Sequence, residues 1–89
     1  MNEQTEIMTK SIKKLVAIGA SVGAHCQPCL EYHIQAAVEL GIFKEAIRAA
    51  VAVGHAVEKG AMSAMEKFST ETVDMIRSSG RLPKNQARP

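Results

Sequence analysis

The run Cys26-Gln27-Pro28-Cys29-Leu30-Glu31-Tyr32-His33 decides how this 89-residue chain is read, because it holds both cysteines and one of the three histidines. Proline lacks a backbone N–H and is tolerated in a helix only in the first turn, so Pro28 places a helix start near Cys26. At about 100° per residue, Cys26, Cys29 and His33 then fall within roughly 60° of one another on that helix. Two thiols and an imidazole share one face beside a helix N-terminus.

Outward from this run the pattern stays helical. Before it, Ile7, Ile12, Leu15, Val16, Gly19 and Val22 recur at spacings of three and four from Glu3 to Ala24, with Lys10, Lys13 and Lys14 mostly off the stripe as a solvated face. Thr5 or Thr9 is placed to cap this helix, Gly23 to end it, and the segment through His25 to connect it onward. After the run, Leu30, Ile34, Ala37 and Val38 continue the buried stripe as far as Gly41, and Ile42 and Phe43 make the turn. Lys44 to Gly60 predicts a third helix that is apolar nearly all round, apart from Arg48, His55 and its ends. Such a helix needs cover on more than one side, which an 89-residue monomer cannot easily supply, so the chain is expected to self-associate. Gly60 is expected to end or bend it, and Met62, Met65, Phe68, Val73, Met75 and Ile76 carry a further helical pattern to about Ser79. No alternating strand pattern is present. The expected fold is all-α, a bundle of about four helices in one domain over 1–80, with 81–89 a disordered basic tail.

Composition narrows the function. Hydrophobic residues make up 46% of the chain, yet Tyr32, Phe43 and Phe68 are its only aromatics, so the apolar mass is Ala, Val, Ile and Met, suited to close helix packing. A formal charge of +2 with scattered basic residues gives no case for nucleic acid. The polar start, with Glu3 and Glu6, lacks the pattern of a secretion signal, and apolar stretches such as Ala49 to Val53 fall far below the roughly 20 residues of a membrane span. The expectation is a soluble cytoplasmic protein with no membrane partner. In that compartment two closely spaced cysteines point to catalysis or metal binding rather than a structural staple.

The thiolate is the reactive form of cysteine, and both helix N-terminal amides and a nearby imidazole favour it. Cys26 is closest to the helix start, whereas Cys29 lies one turn before His33 and can pass its proton to that ring. The residues alone leave the attacking thiol open. A spacing of two residues lets the pair alternate between dithiol and disulfide without any other cofactor. The alternative is a non-catalytic zinc-binding or structural module, with Cys26, Cys29 and His33 as ligands and His25 or His55 as the fourth. His25, Glu31 and Tyr32 are auxiliary candidates at the motif. His55 reads as a hydrogen-bonded packing residue, and Met62, Met65 and Met75 as interface packing.

The stretch Ala24 to His33, followed by an Ala-rich helix, Gly41 and a second Ala/Val-rich helix, resembles the carboxymuconolactone decarboxylase-like superfamily. More narrowly, its Cys-x-x-Cys-x-x-x-His motif is similar to the alkylhydroperoxidase AhpD-like branch, over roughly Leu15 to Met62. The resemblance implies an all-α bundle assembled into dimers, trimers or hexamers. It also implies that Cys29, beside His33, attacks a small-molecule hydroperoxide to give a sulfenic acid, that Cys26 resolves it to a disulfide, and that a dithiol reductant of lipoyl type restores the thiols. The branch places a glutamate about a dozen residues before the first cysteine, linked with the histidine in a proton relay. Here that position is Lys14, and Glu31 and Glu58 are the acids that stand as substitutes.

Overall fold

The computed structural model describes residues 6–76, 80 and 81, and among these every regular element is an α-helix. The elements are α1 (Lys10–Gly23), α2 (Gln27–Glu39) and α3 (Lys44–Asp74). Internal contacts divide the chain into two units, Met1–Glu58 and Lys59–Pro89.

In the first unit, local chemistry sets each helix end. Thr9 caps α1, its hydroxyl accepting the Ile12 N–H at 3.2 Å. Thr5 lies outside the described residues. At the other end of α1 the His25 N–H donates to the Val22 carbonyl (3.1 Å) and the Cys26 N–H to the Ser21 carbonyl (3.0 Å). That bond pair is a Schellman motif, which requires a left-handed residue just past the cap. His25 occupies that place, at φ 56°. The same motif closes α2, with Gly41 donating to Val38 (3.0 Å) and Ile42 to Ala37 (3.1 Å), and there the left-handed residue is Gly41, at φ 80°. Gly23 ends α1 as the sequence suggests, but a histidine takes the conformation that glycine serves in the next turn.

The core is one cluster built from all three helices: Ile18 of α1, Ala37 of α2 and Ile47 of α3, with Leu30, Ile34, Ile42, Ala50 and Val51 against it. Ser21 is buried beside it, its hydroxyl satisfied by the Ala17 carbonyl at 2.7 Å. Alpha helices α1 and α3 approach backbone to backbone. A Cβ on Gly54 would stand 2.7 Å from the Gly19 carbonyl oxygen and 2.7 Å from the Val22 Cβ. The crossing therefore admits no side chain at Gly54. It also fixes the residues that follow, His55 and Glu58, against the C-terminal end of α1.

Much of the apolar surface of this unit lies open. Val16, Val53 and Val57 are each more than half exposed and line a groove of about 740 Å³ between α1 and α3 with Ile12, Leu15 and Ala49.

The second unit carries the C-terminal half of α3, with Met62, Met65, Phe68 and Val73 exposed and the hydroxyls of Ser69, Thr70 and Thr72 donating to carbonyls one turn back. Gly60 does not end a helix: α3 runs through it to Asp74, so the described residues form three helices rather than about four. An interior glycine costs a helix only about 1 kcal/mol relative to alanine, and the Ala, Met, Glu and Lys residues around Gly60 are strong helix formers. Residues 77–79, and the expected tail from 82 onward, lie outside the described residues. Among the described residues no helix is long and apolar enough to cross a membrane.

Candidate active site

Cys26 joins two helices. It is the residue whose N–H completes the Schellman motif of α1, and it is also the N-cap of α2, its sulfur accepting the Cys29 N–H at 3.3 Å. Pro28 sits in the first turn, where no amide hydrogen is needed. This geometry brings Cys26 and Cys29 to a Cα–Cα separation of 5.2 Å, and the two are joined as a disulfide. Cys26 is half-buried and Cys29 is exposed. The sulfurs lie where unpaired helix amides make the local potential positive, the setting that favours a thiolate once the bond is reduced.

One turn along α2 from Cys29, His33 is half-buried against α1. Its partner there is Lys14, whose Nζ lies 3.4 Å from His33 Nδ1. The expectation that Lys14 belongs to a solvated face is therefore corrected: it is half-buried, its ammonium reaches the imidazole, and it stands 5.2 Å from the centroid of the Tyr32 ring. Alpha helices α1 and α2 pack closely enough that a long side chain off the apolar stripe of α1 reaches across to α2. Tyr32 is exposed and meets His33 edge to face, with centroids 5.0 Å apart. An ammonium is only a donor, so it engages Nδ1 as an acceptor, and a neutral His33 then carries its proton on Nε2.

A second group of side chains gathers around the cavity that Cys26 lines. Glu58 of α3 accepts from two rings, His25 Nε2 at 2.5 Å on one oxygen and His55 Nδ1 at 2.5 Å on the other. His25, Cys26, His55 and Glu58 line one open cavity of about 310 Å³, whose apolar wall is Leu30 and Val51. Glu58 is 19% exposed, whereas the side chains of His25 and His55 are mostly exposed. The hydrogen bond from His55 holds the Glu58 carboxyl below the ordinary carboxylate value; burial works against this and His25 adds to it. His55 is thus hydrogen-bonded, as expected, but from an exposed position and to an acid three residues on rather than within a packed face. That spacing, His55-x-x-Glu58, is a signal the sequence does contain, since such residues are neighbours on a helix surface. The approach of this pair to Cys26 depends on the Gly19/Gly54 crossing.

The remaining candidates are dispersed. Glu31 is exposed and lines a separate shallow depression with Pro28, Tyr32 and Gln35. Among the described residues no three His, Cys, Asp or Glu side chains are grouped to hold a metal ion. The zinc ligand set expected of Cys26, Cys29 and His33 with His25 or His55 is not assembled here, because the two sulfurs are bonded to each other and His25 and His55 are both engaged by Glu58.

An all-helical domain with a disulfide-bonded Cys-x-x-Cys pair at a helix start, flanked by two imidazole groupings, is a dithiol-bearing helical protein. The carboxymuconolactone decarboxylase family model matches residues 7–69, and the chain belongs to that family. No curated protein and no solved structure matches the chain.

Proposed function

We propose that the protein is a thiol–disulfide oxidoreductase that reduces hydroperoxides. The observation that carries this reading is the Cys26–Cys29 disulfide at the N-terminus of α2, in a chain of the carboxymuconolactone decarboxylase family. Exposed Cys29, one turn before His33, is the attacking thiol. Its thiolate takes one oxygen from the peroxide, the O–O bond breaks, and the alcohol leaves with a proton while Cys29 becomes a sulfenic acid. Cys26 then attacks that sulfur, the S–O bond breaks, water leaves, and the disulfide forms. A dithiol reductant, of lipoyl type, returns both cysteines to thiols by two exchange steps and is itself oxidised to a disulfide. The cytoplasm, a reducing compartment, suits such a cycle.

The reading is tested by adding an organic hydroperoxide to reduced protein and following intact mass. Wild type is expected to lose two hydrogens, and Cys26→Ser to hold a trappable sulfenic acid at Cys29. Thiols unchanged over many minutes would overturn the reading. Self-association accompanies it in our reading, supported by the open apolar groove between α1 and α3. Light scattering at micromolar concentration should give more than one subunit, and a monomer would refute that part alone.

A further inference from the structure

The dithiol cycle has two proton demands. Cys29 must be a thiolate to attack, and Cys26 must lose its proton when it closes on the oxidised partner. Lys14 suits His33 to donate to a Cys29 thiolate and disposes it poorly to accept the Cys26 proton. With Nδ1 engaged by an ammonium, the neutral ring presents N–H at Nε2, which donates a proton rather than accepting one.

The cavity lined by Cys26 is disposed in the opposite sense. Each oxygen of Glu58 accepts an N–H, from His25 Nε2 and from His55 Nδ1. A carboxylate that takes one ring nitrogen as donor leaves the other, in the neutral ring, as a bare acceptor. The free acceptors are His25 Nδ1 and His55 Nε2. The other residues lining this cavity, Ser21 and Val22 of α1, Gln27 and Leu30 of α2, and Val51 of α3, carry no titrating group. Proton acceptance there falls to the two imidazoles and Glu58 alone.

The backbone gives a second, independent observation. His25 is held left-handed at φ 56°, in the place that Gly41 fills in the matching motif of α2. That conformation costs a residue with a Cβ roughly 1 kcal/mol relative to glycine. Backbone held against such a preference is found where a side chain is needed in one position. The turn carries the ring into contact with Glu58.

We propose that Glu58 is a positioning residue that orients His25 and His55 as proton acceptors for Cys26, so that the resolving thiol has a base of its own in a cavity that His33 does not line. In the resolving step the proton of the Cys26 thiol passes to a bare imidazole nitrogen, the Cys26 sulfur bonds to the Cys29 sulfur, and the S–O bond of the sulfenic acid breaks. The hydroxyl takes up a proton and leaves as water. In the return step the same bases accept a proton from the incoming reductant thiol. The inference rests on the dithiol reading above.

The test measures alkylation of each cysteine in fully reduced protein by iodoacetamide, resolved by peptide mass spectrometry across pH, in wild type and Glu58→Gln. An amide offers one acceptor oxygen in place of two, so one imidazole loses its orientation. Cys26 in the variant is expected to react about tenfold more slowly near pH 7, with its pH midpoint raised by about one unit, while Cys29 changes less than about twofold. An unchanged Cys26 profile in a folded variant, or equal shifts at both cysteines, would overturn the proposal. Should Glu58→Gln lose helicity by circular dichroism, His55→Ala removes the same bond from its other end and is read in the same way. Alkylation needs no peroxide. An unchanged profile with disulfide closure still driven by hydroperoxide would sink this inference and spare the peroxidase reading, and the reverse pattern would do the opposite.

Discussion

Two imidazole environments meet the same pair of cysteines and differ in the sign of the group that holds them. Toward α1, His33 faces the ammonium of Lys14. Toward α3, His25 and His55 face the carboxylate of Glu58. A histidine is not an acid or a base by position along the chain; what binds one ring nitrogen decides what the other can do. The branch that the sequence resembles has a carboxylate where this chain has Lys14, and of the substitutes Glu31 and Glu58 the structure brings Glu58, from a different helix, to the cavity that Cys26 lines.

The largest effect is expected where α3 is held against α1. Gly54→Ala drives a Cβ to within 2.7 Å of a backbone oxygen on α1, which cannot yield as a flexible side chain would. We expect a loss of about 2 to 3 kcal/mol in urea unfolding, in line with overpacked interiors, together with loss of the Glu58 contacts to the α1 end. A variant as stable as wild type would show that the two helices separate freely.

Inverting one side sharpens the contrast without disturbing the core. In Lys14→Glu the partner of His33 Nδ1 becomes an acceptor, so ¹⁵N spectra of the neutral ring should shift from the Nε2–H to the Nδ1–H tautomer almost completely. An unchanged tautomer would mean that Lys14 does not set it.

At His25 the side chain and the backbone pull in opposite directions, and two variants separate them. His25→Ala loses the Glu58 bond and keeps the left-handed strain, whereas His25→Gly loses the bond and relieves it. The glycine variant should be the more stable by about 1 kcal/mol in chemical denaturation. Equal stabilities would show that the left-handed conformation of His25 carries no strain.

The smallest effect is the acid dependence of Glu58. Its carboxyl is held below the ordinary value of 4.5 in the folded protein, chiefly by the His55 hydrogen bond. A depressed carboxyl stabilises the fold above the unfolded-state pKa and ceases to do so as pH falls through the folded value. Wild type should therefore lose its advantage over Glu58→Gln only below about pH 4.5, as read by thermal unfolding at stepped pH. A gap that persists unchanged to lower pH would argue against the bond as its source.

The sequence made the helical course of the chain legible because helix signals are local. Pro28 marked the start of α2, Gly41 its end and Lys44 the start of α3, and each acts through the backbone within one turn. Gly60 shows the limit of such signals: one local breaker is outweighed by the strong helix formers on both sides, and α3 continues through it. The site was legible only in part. Spacing brought Cys26 and Cys29 together, and the structure joins them as a disulfide. Helical phase puts Lys14 on the solvent side of its own helix but does not tell how far its long side chain reaches to the next. Glu58 and His55, more than 25 residues after the cysteines in the sequence, could be named but not placed.

By itself, then, the sequence determined the all-α fold, the helix that presents the two thiols, and the pair's capacity to close, all of which follow from interactions within about four residues. Only the tertiary structure decided which charges attend them. The Gly19/Gly54 crossing brings α3 against the end of α1, so that a carboxylate reaches His25, and the packing of α1 on α2 lets an ammonium reach His33. Electrostatic partnership depends on distance in space, and for residues so far apart in the chain that distance is set by how closely two backbones pack.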